Sequence, residues 1–283
     1  MEHDFLIFDD VTFFYPIDED SLDDKEKSEI NPIFEHFSAS LPSGFVSLVG
    51  QNGCGKSTLM LLASGRLLPA SGTVSLLGKN PALLSEENKN LLASVVYQNM
   101  EFESEEAVSS LLSHVFENGA HNGKASGIRS SKSLLDEVIE VFALSPVLSH
   151  SLTALSKGEI QRVLLAFSIL YGSKSIFMDE PLFALEESQK ESSLLYLRDF
   201  VHKTKTTIYI SMHEIDLSKK YADTVLLFYP NRDMALGSPV EVLTDEELEK
   251  AYQIPAALLK KKEDLTREHL LGESDLFAKS KVR

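Results

Sequence analysis

With 283 residues, 43% of them hydrophobic, and a formal net charge of −16, the chain can bury a substantial core as one large domain, or one domain with a small appendage. The acidity disfavours general nucleic-acid binding, which neutralises phosphates with basic surface. No apolar run is long enough for a transmembrane helix, the acidic start MEHDFLIFDD lacks the order of a secretory leader, and the single cysteine, Cys54, excludes an internal disulfide framework and fits a reducing compartment.

In chain order, the aromatic run VTFFYP carries Tyr15 and leads into the acidic segment Pro16–Pro32. That segment reads as a solvated loop between two strands, with docking of a basic partner as the alternative. FVSLV (Phe45–Val49) reads as a buried strand. It runs straight into GQNGCGKST, that is Gly50, Gln51, Asn52, Gly53, Cys54, Gly55, Lys56, Ser57 and Thr58. This stretch fits G-x-x-x-x-G-K-[ST]. Glycines let the backbone curl round a bulky anion so that its N–H groups surround it. The following helix, KSTLMLLASG, aims free N–H groups and its positive dipole end at the same point. Lys56 adds a positive charge near the β and γ phosphates, and Ser57 offers a hydroxyl to Mg²⁺. The loop implies a nucleotide without saying which machine uses it.

ASVVY (Ala93–Tyr97) is the next expected strand, ending at Gln98. From about Asn99 no strand pattern follows. The loop-like ENGAHNGKASGIRSSKS and the amphipathic LLDEVIEVF, with Leu135 and Ile139 on one face and Leu134, Val138 and Phe142 beside them, predict a mostly helical lobe over about residues 99–171. In LSKGEIQRVLLAF, Ser156 and Glu159 have the S-x-x-E spacing of a capping box, and a helix start is also an anion site. SIFMDE is an apolar strand ending in Asp179 and Glu180. A carboxylate there can hold Mg²⁺, and the next one can activate an attacking water as general base. TTIYISM precedes His213, TVLLF (Thr224–Phe228) is a further strand, and LTDEELEKAY after Gly237 predicts a C-terminal helix and tail over 238–283. Buried strands alternating with helices predict an α/β domain with a mainly parallel sheet.

The run Leu155-Ser-Lys-Gly-Glu159 followed by QR and then MDEP resembles the signature of the ATP-binding subunit of ABC transporters, and the resemblance extends from about Phe5 to Gly237. It implies a P-loop NTPase cassette with a mainly parallel sheet core, an N-terminal antiparallel β part and the inserted helical lobe. It implies ATP and Mg²⁺ as cofactors. Tyr15 takes the place of the adenine-stacking aromatic, Gln98 that of the metal-sensing glutamine that also contacts the membrane partner, and His213 that of the switch histidine at the γ-phosphate. Ser57, Gln98 and Asp179 match the metal positions, and Glu180, His213 and Lys56 the catalytic ones. Ser156, Gly158 and Glu159 would close over a nucleotide held by a second cassette. Taken singly, Tyr15 also reads as a core aromatic, Gln98 as a loop residue and His213 as a satisfied strand-end histidine.

The implied partners are a transmembrane permease and a second cassette, like or unlike, with no nucleic acid. The implied location is cytoplasmic, peripheral on the inner face of the cell membrane. GSPVEVLTDEELEKAY resembles the C-terminal end of cassettes that drive metal-chelate or vitamin importers. A soluble ATPase of iron–sulfur cluster assembly is the alternative, since such proteins often carry Glu at the position of Glu159, although the continuation IQRV is more transporter-like. Three departures stand out: Lys157 where the family usually has Gly, Glu159 for the commoner Gln, and LFALE after Pro181 for the usual TSALD, which places Phe183 and Glu186 at altered positions.

Overall fold

The computed structural model describes residues 5–16, 32–97, 100, 104–256, 258 and 259. The acidic segment (all but its two ends), Gln98 and the expected tail beyond 259 lie outside the described residues. The first elements are β1 (Leu6–Phe13), β2 (Phe34–Leu41), β3 (Phe45–Val49), α1 (Lys56–Ala63), β4 (Ser71–Leu76), α2 (Glu86–Leu92) and β5 (Ala93–Val96). Three helices follow, α3 (Val108–Asn118), α4 (Leu134–Val141) and α5 (Lys157–Tyr171). The rest alternates: β6 (Ser175–Asp179), α6 (Glu187–Thr204), β7 (Thr207–Ser211), α7 (Ile215–Tyr221), β8 (Thr224–Phe228), β9 (Met234–Gly237), α8 (Pro239–Val242) and α9 (Asp245–Tyr252).

Two sheets form. A small antiparallel sheet has the order β2-β1-β4, and a six-stranded sheet has the order β5-β6-β7-β3-β8-β9. Strands β5, β6, β7, β3 and β8 run parallel, and only β9 pairs antiparallel. All five residues of β3 and of β7 are buried. Such strands show no in-out alternation in sequence because both faces of the sheet are covered. Successive residues instead enter different cores. Ile176, Met178, Ile208 and Ile210 pack with α3, α4, α5 and α6, whereas Phe177 and Tyr209 face the antiparallel sheet and α1. The rings of Phe177 and Tyr209 stack at 5.2 Å, and the Tyr209 hydroxyl, buried from water, donates to the Pro42 carbonyl at 2.7 Å. Val49, Val225 and Leu227 form a third cluster with Val242 of α8 and Leu248 and Ala251 of α9.

The expected parallel strands are present within a residue or two of their predicted bounds. β9 and α8 were not foreseen. Between residues 104 and 171 the described residues hold only α3, α4, α5, short 3-10 turns and isolated bridges. In α4 the deeply buried face is Leu134 and Val138, with Phe142 just beyond, while Leu135 and Ile139 are only partly buried. Glu137 of the same helix is also buried. Its Oε1 accepts from the Ile128 N–H (2.7 Å) and the Tyr196 hydroxyl (2.9 Å), and its Oε2 accepts from the N–H groups of Arg129 (2.9 Å) and Ser130 (3.1 Å) and from the Ser130 hydroxyl (3.2 Å). Arg129 lies over the Tyr196 ring and pairs with Asp199 at 3.0 Å. This carboxylate therefore pins the turn before α4 to α6 of the sheet-bearing core.

Candidate nucleotide site

β3 emerges from the centre of the parallel sheet, and the chain turns through residues 50–55 before α1 begins at Lys56. Gly50 has φ 152°, and a Cβ there would lie 2.9 Å from the Cβ of Phe228. Gly55, the N-cap of α1, has φ 107°, and a Cβ would lie 3.1 Å from the Phe34 ring. The loop is thus wedged between β8 and β2 in a conformation that only glycine adopts without strain. Lys56 is buried; its Nζ donates to the carbonyls of Gly50 (2.8 Å) and Gln51 (2.9 Å). The ammonium is thereby held over the mouth of the curl. Burial pushes the Cys54 thiol pKa up, opposed by the Lys56 charge, so Cys54 stays a thiol and acts as a small packing residue. Gln51 reaches the other way, its amide donating to the Tyr252 carbonyl at the end of α9 (2.6 Å).

A cavity of about 410 Å³ opens over this loop, lined by Tyr15, Ile33, Asn52, Gly53, Gly55, Lys56, Ser57, Thr58 and Glu180. Residues far apart in sequence meet here because β1 covers α1 and because β6 lies two strands from β3. Tyr15 sets its ring edge-on to Phe13 (5.0 Å) and shares a hydrogen bond with Thr58 Oγ1 (3.0 Å). Tyr15 is 45% exposed, which sets it apart from an ordinary core aromatic.

Asp179 ends β6 and faces Ser211 in register on β7. The Ser211 hydroxyl donates to Asp179 Oδ1 (2.7 Å) and accepts the Glu180 N–H (2.8 Å). Glu180 has left the strand with φ 48°, a left-handed conformation that costs a non-glycine residue about 1 kcal/mol or more. Its Oε1 lies 2.6 Å from His213 Nε2, and its side chain is 11% exposed against 40% for the histidine. Beside His213, the buried Lys190 pairs with Glu214.

Ser156, Gly158 and Glu159 do not line the cavity. Ser156 caps α5 in the expected capping box: its hydroxyl accepts the Glu159 N–H, and Glu159 Oε2 accepts from the Ser156 N–H (2.8 Å) and hydroxyl (2.7 Å). Those hydrogen bonds, the hydroxyl first, hold the Glu159 carboxyl below the usual carboxylate range. Gly158 passes so close to the turn after β6 that a Cβ would lie 2.7 Å from the Ala184 carbonyl oxygen. Gln161 Oε1 accepts the Ala184 N–H at 2.8 Å. Lys157, Phe183 and Glu186 are exposed on the surface so formed. Ser211 and Gln161 were not foreseen. A serine closing an apolar strand, in TTIYIS, is the local signal for the first; nothing local signals the second.

The donors present suit Mg²⁺. The Ser57 hydroxyl, exposed on the first turn of α1, and the Asp179 carboxylate are hard oxygens of the kind Mg²⁺ takes together with phosphate and water. A triphosphate likewise fits a loop whose glycine positions leave no room for side chains on the side of β8 and β2.

Residues 34–183 match the profile of the ABC transporter family. That span exceeds half of the chain and holds the phosphate loop, the start of α5 and the Asp179–Glu180 pair. The chain belongs to this family. Among its relatives, the cobalamin import ATP-binding protein BtuD of Halobacterium salinarum is 28% identical over 228 residues, 80% of this chain and 56% of its own length. The chain thus spans little more than half of that relative. The hemin import ATP-binding protein HmuV of Escherichia coli O157:H7 is 29% identical over 235 residues, 80% of this chain and 88% of its own. Among solved structures, the ATP binding subunit of an ABC transporter superimposes with a TM-score of 0.68 at 19% identity, covering 91% of this chain and 98% of that one. A metal-chelate type ABC transporter in an inward-facing conformation gives 0.63 at 22% identity, covering 88% and 89%. These likenesses confirm the cassette fold. No helix among the described residues is long and apolar enough to cross a membrane.

Proposed function

We propose that this chain binds and hydrolyses ATP, and that ATP-driven pairing with a second cassette powers movement of a solute through a separate membrane-spanning subunit. The observation that carries the reading is the convergence of Lys56, Ser57 and Glu180 on one cavity, with His213 bonded to Glu180. Tyr15 offers its exposed ring to the adenine. The loop N–H groups and Lys56 neutralise the phosphates, the ammonium anchored on two carbonyls while it reaches a phosphate oxygen. Ser57 and Asp179 would hold Mg²⁺, which when bound supplies charge neutralisation at the phosphates; Gln98 keeps its proposed part in that site. Glu180 orients the attacking water and takes its proton, and His213, bonded to the same carboxylate, fixes its direction. Ser156 and Gly158, which do not line the chain's own cavity, close over the nucleotide of the second cassette, so that closure depends on the triphosphate and hydrolysis releases it.

The names of the relatives, both import ATP-binding proteins, support import as the direction and support a permease partner with the chain at the inner face of the membrane. They lend no support to the iron–sulfur assembly alternative. We also carry forward the division at Gly237 between cassette and C-terminal segment, with the helical lobe at about 99–171. Titration of purified chain with MgATP tests the reading. The chain binds, and Lys56→Ala weakens binding by about 10- to 100-fold, the value of one charge-assisted contact. Equal affinity in the two proteins would overturn it.

A further inference from the structure

We propose that Ser211 is a positioning residue of the hydrolytic site, setting Asp179 and Glu180 relative to one another through a single hydroxyl. The inference rests on the ATPase reading above. Ser211 is fully buried at the end of β7, the strand that lies between β6, which carries the two carboxylates, and β3, which leads into the phosphate loop. Its backbone is fixed from both sides: by the register Asp179↔Ser211 on one strand and Leu48↔Ser211 on the other. A hydroxyl has one proton to give and lone pairs to receive. Ser211 gives its proton to Asp179 Oδ1 at 2.7 Å and receives the Glu180 N–H at 2.8 Å.

Each of these bonds removes a specific freedom. The first stops rotation of the Asp179 carboxylate, so the same oxygen always faces β7 and the other is left to address the metal. The second holds the peptide preceding the left-handed Glu180. Without an acceptor for that N–H, the strained turn has less to hold it, and the Glu180 carboxylate drifts from the water it must orient. Two residues further along the same strand end, His213 holds the carboxylate of Glu180. Glu180 is therefore gripped at its backbone by Ser211 and at its side chain by His213, one at the end of β7 and the other two residues beyond it. An alanine at position 211 would occupy nearly the same buried space, yet would supply neither bond.

The test compares wild type with Ser211→Ala, Ser211→Thr and Ser211→Cys. The readouts are ATP affinity in EDTA, the Mg²⁺ concentration that half-maximally enhances ATP binding, and kcat and KM of ATP hydrolysis. Loss of a group that orients a metal ligand typically costs 10- to 100-fold in metal affinity or rate. Ser211→Ala is therefore expected to bind ATP in EDTA like wild type, to need about 10- to 100-fold more Mg²⁺, and to lose a similar factor in kcat with KM unchanged. Ser211→Thr, which keeps the hydroxyl, restores both. Wild-type Mg²⁺ requirement and kcat in Ser211→Ala would overturn the proposal, as would equal loss of metal-free and metal-dependent binding, the mark of a merely structural role. Should the alanine variant not fold, Ser211→Cys keeps the shape of the side chain with a weak donor and acceptor, and wild-type values there would overturn it equally. If wild-type chain binds no MgATP, the nucleotide reading itself falls. If wild type binds and hydrolyses while Ser211→Ala is indistinguishable from it, only the role of Ser211 falls.

Discussion

Replacing Glu137 by Gln changes one oxygen to an NH₂ and leaves size and shape alone, so its cost comes from hydrogen bonding and charge. In the wild type one carboxylate oxygen faces the Ile128 N–H and the other the N–H groups of Arg129 and Ser130. Whichever way the amide turns, its NH₂ meets at least one backbone donor. A Cβ on Gly127 would lie only 2.3 Å from Glu137 Oε2, so the turn sits directly against the carboxylate. One or two charge-assisted bonds lost, at roughly 1.5 kcal/mol net each and partly offset by water reaching the half-exposed turn, give about 2 kcal/mol. For a chain of this size that is about 3 °C in melting temperature. The pH dependence is a second signature. Burial pushes the Glu137 carboxyl pKa up, but the donors of Arg129 and Ile128 and the Tyr196 and Ser130 hydroxyls outweigh it and leave it below its ordinary 4.5. A depressed carboxylate stabilises fully above the unfolded value and loses that contribution as pH falls through the folded value. The gap between wild type and Glu137→Gln in thermal melts should therefore be full at neutral pH and close below about 4.5. A variant melting within about 1 °C of wild type at neutral pH, or a gap that persists unchanged into acid, would refute this account of the α4–α6 clamp.

Two further substitutions probe the site. Tyr15→Ala should weaken ATP binding by about 1–3 kcal/mol, the worth of one base–aromatic stack, as read by calorimetric titration; unchanged affinity would remove Tyr15 from the base. Gly158→Ala drives a methyl to within 2.7 Å of the Ala184 carbonyl oxygen and so displaces the surface proposed to face a second cassette. It should leave ATP affinity of the single chain intact while lowering steady-state turnover at least about tenfold, and loss of affinity instead would contradict the assignment of Gly158 to the neighbouring nucleotide.

The phosphate loop was legible because its chemistry is contiguous: strand, glycine curl, lysine and helix follow one another in GQNGCGKST. The capping box at Ser156 and Glu159 was legible for the same reason. What the sequence hides is set by pairing between distant segments. That Tyr15 and Glu180 line one cavity follows from the strand order, and Ser211 meets Asp179 only through the β6–β7 register. Glu137 in LLDEVIEVF resembles any surface carboxylate of a helix. It is buried because the turn 128–130 supplies the N–H groups that replace water, an arrangement no periodicity reveals. β9 and α8, four residues each, are too short to carry a periodic signal.

The account stands on Glu180 as the group that activates water over the phosphate loop. Phosphate release from MgATP by purified chain, compared with that of Glu180→Gln, tests this most directly. The variant should bind MgATP as wild type does and release phosphate about 10²- to 10⁴-fold more slowly; release at the wild-type rate would contradict it.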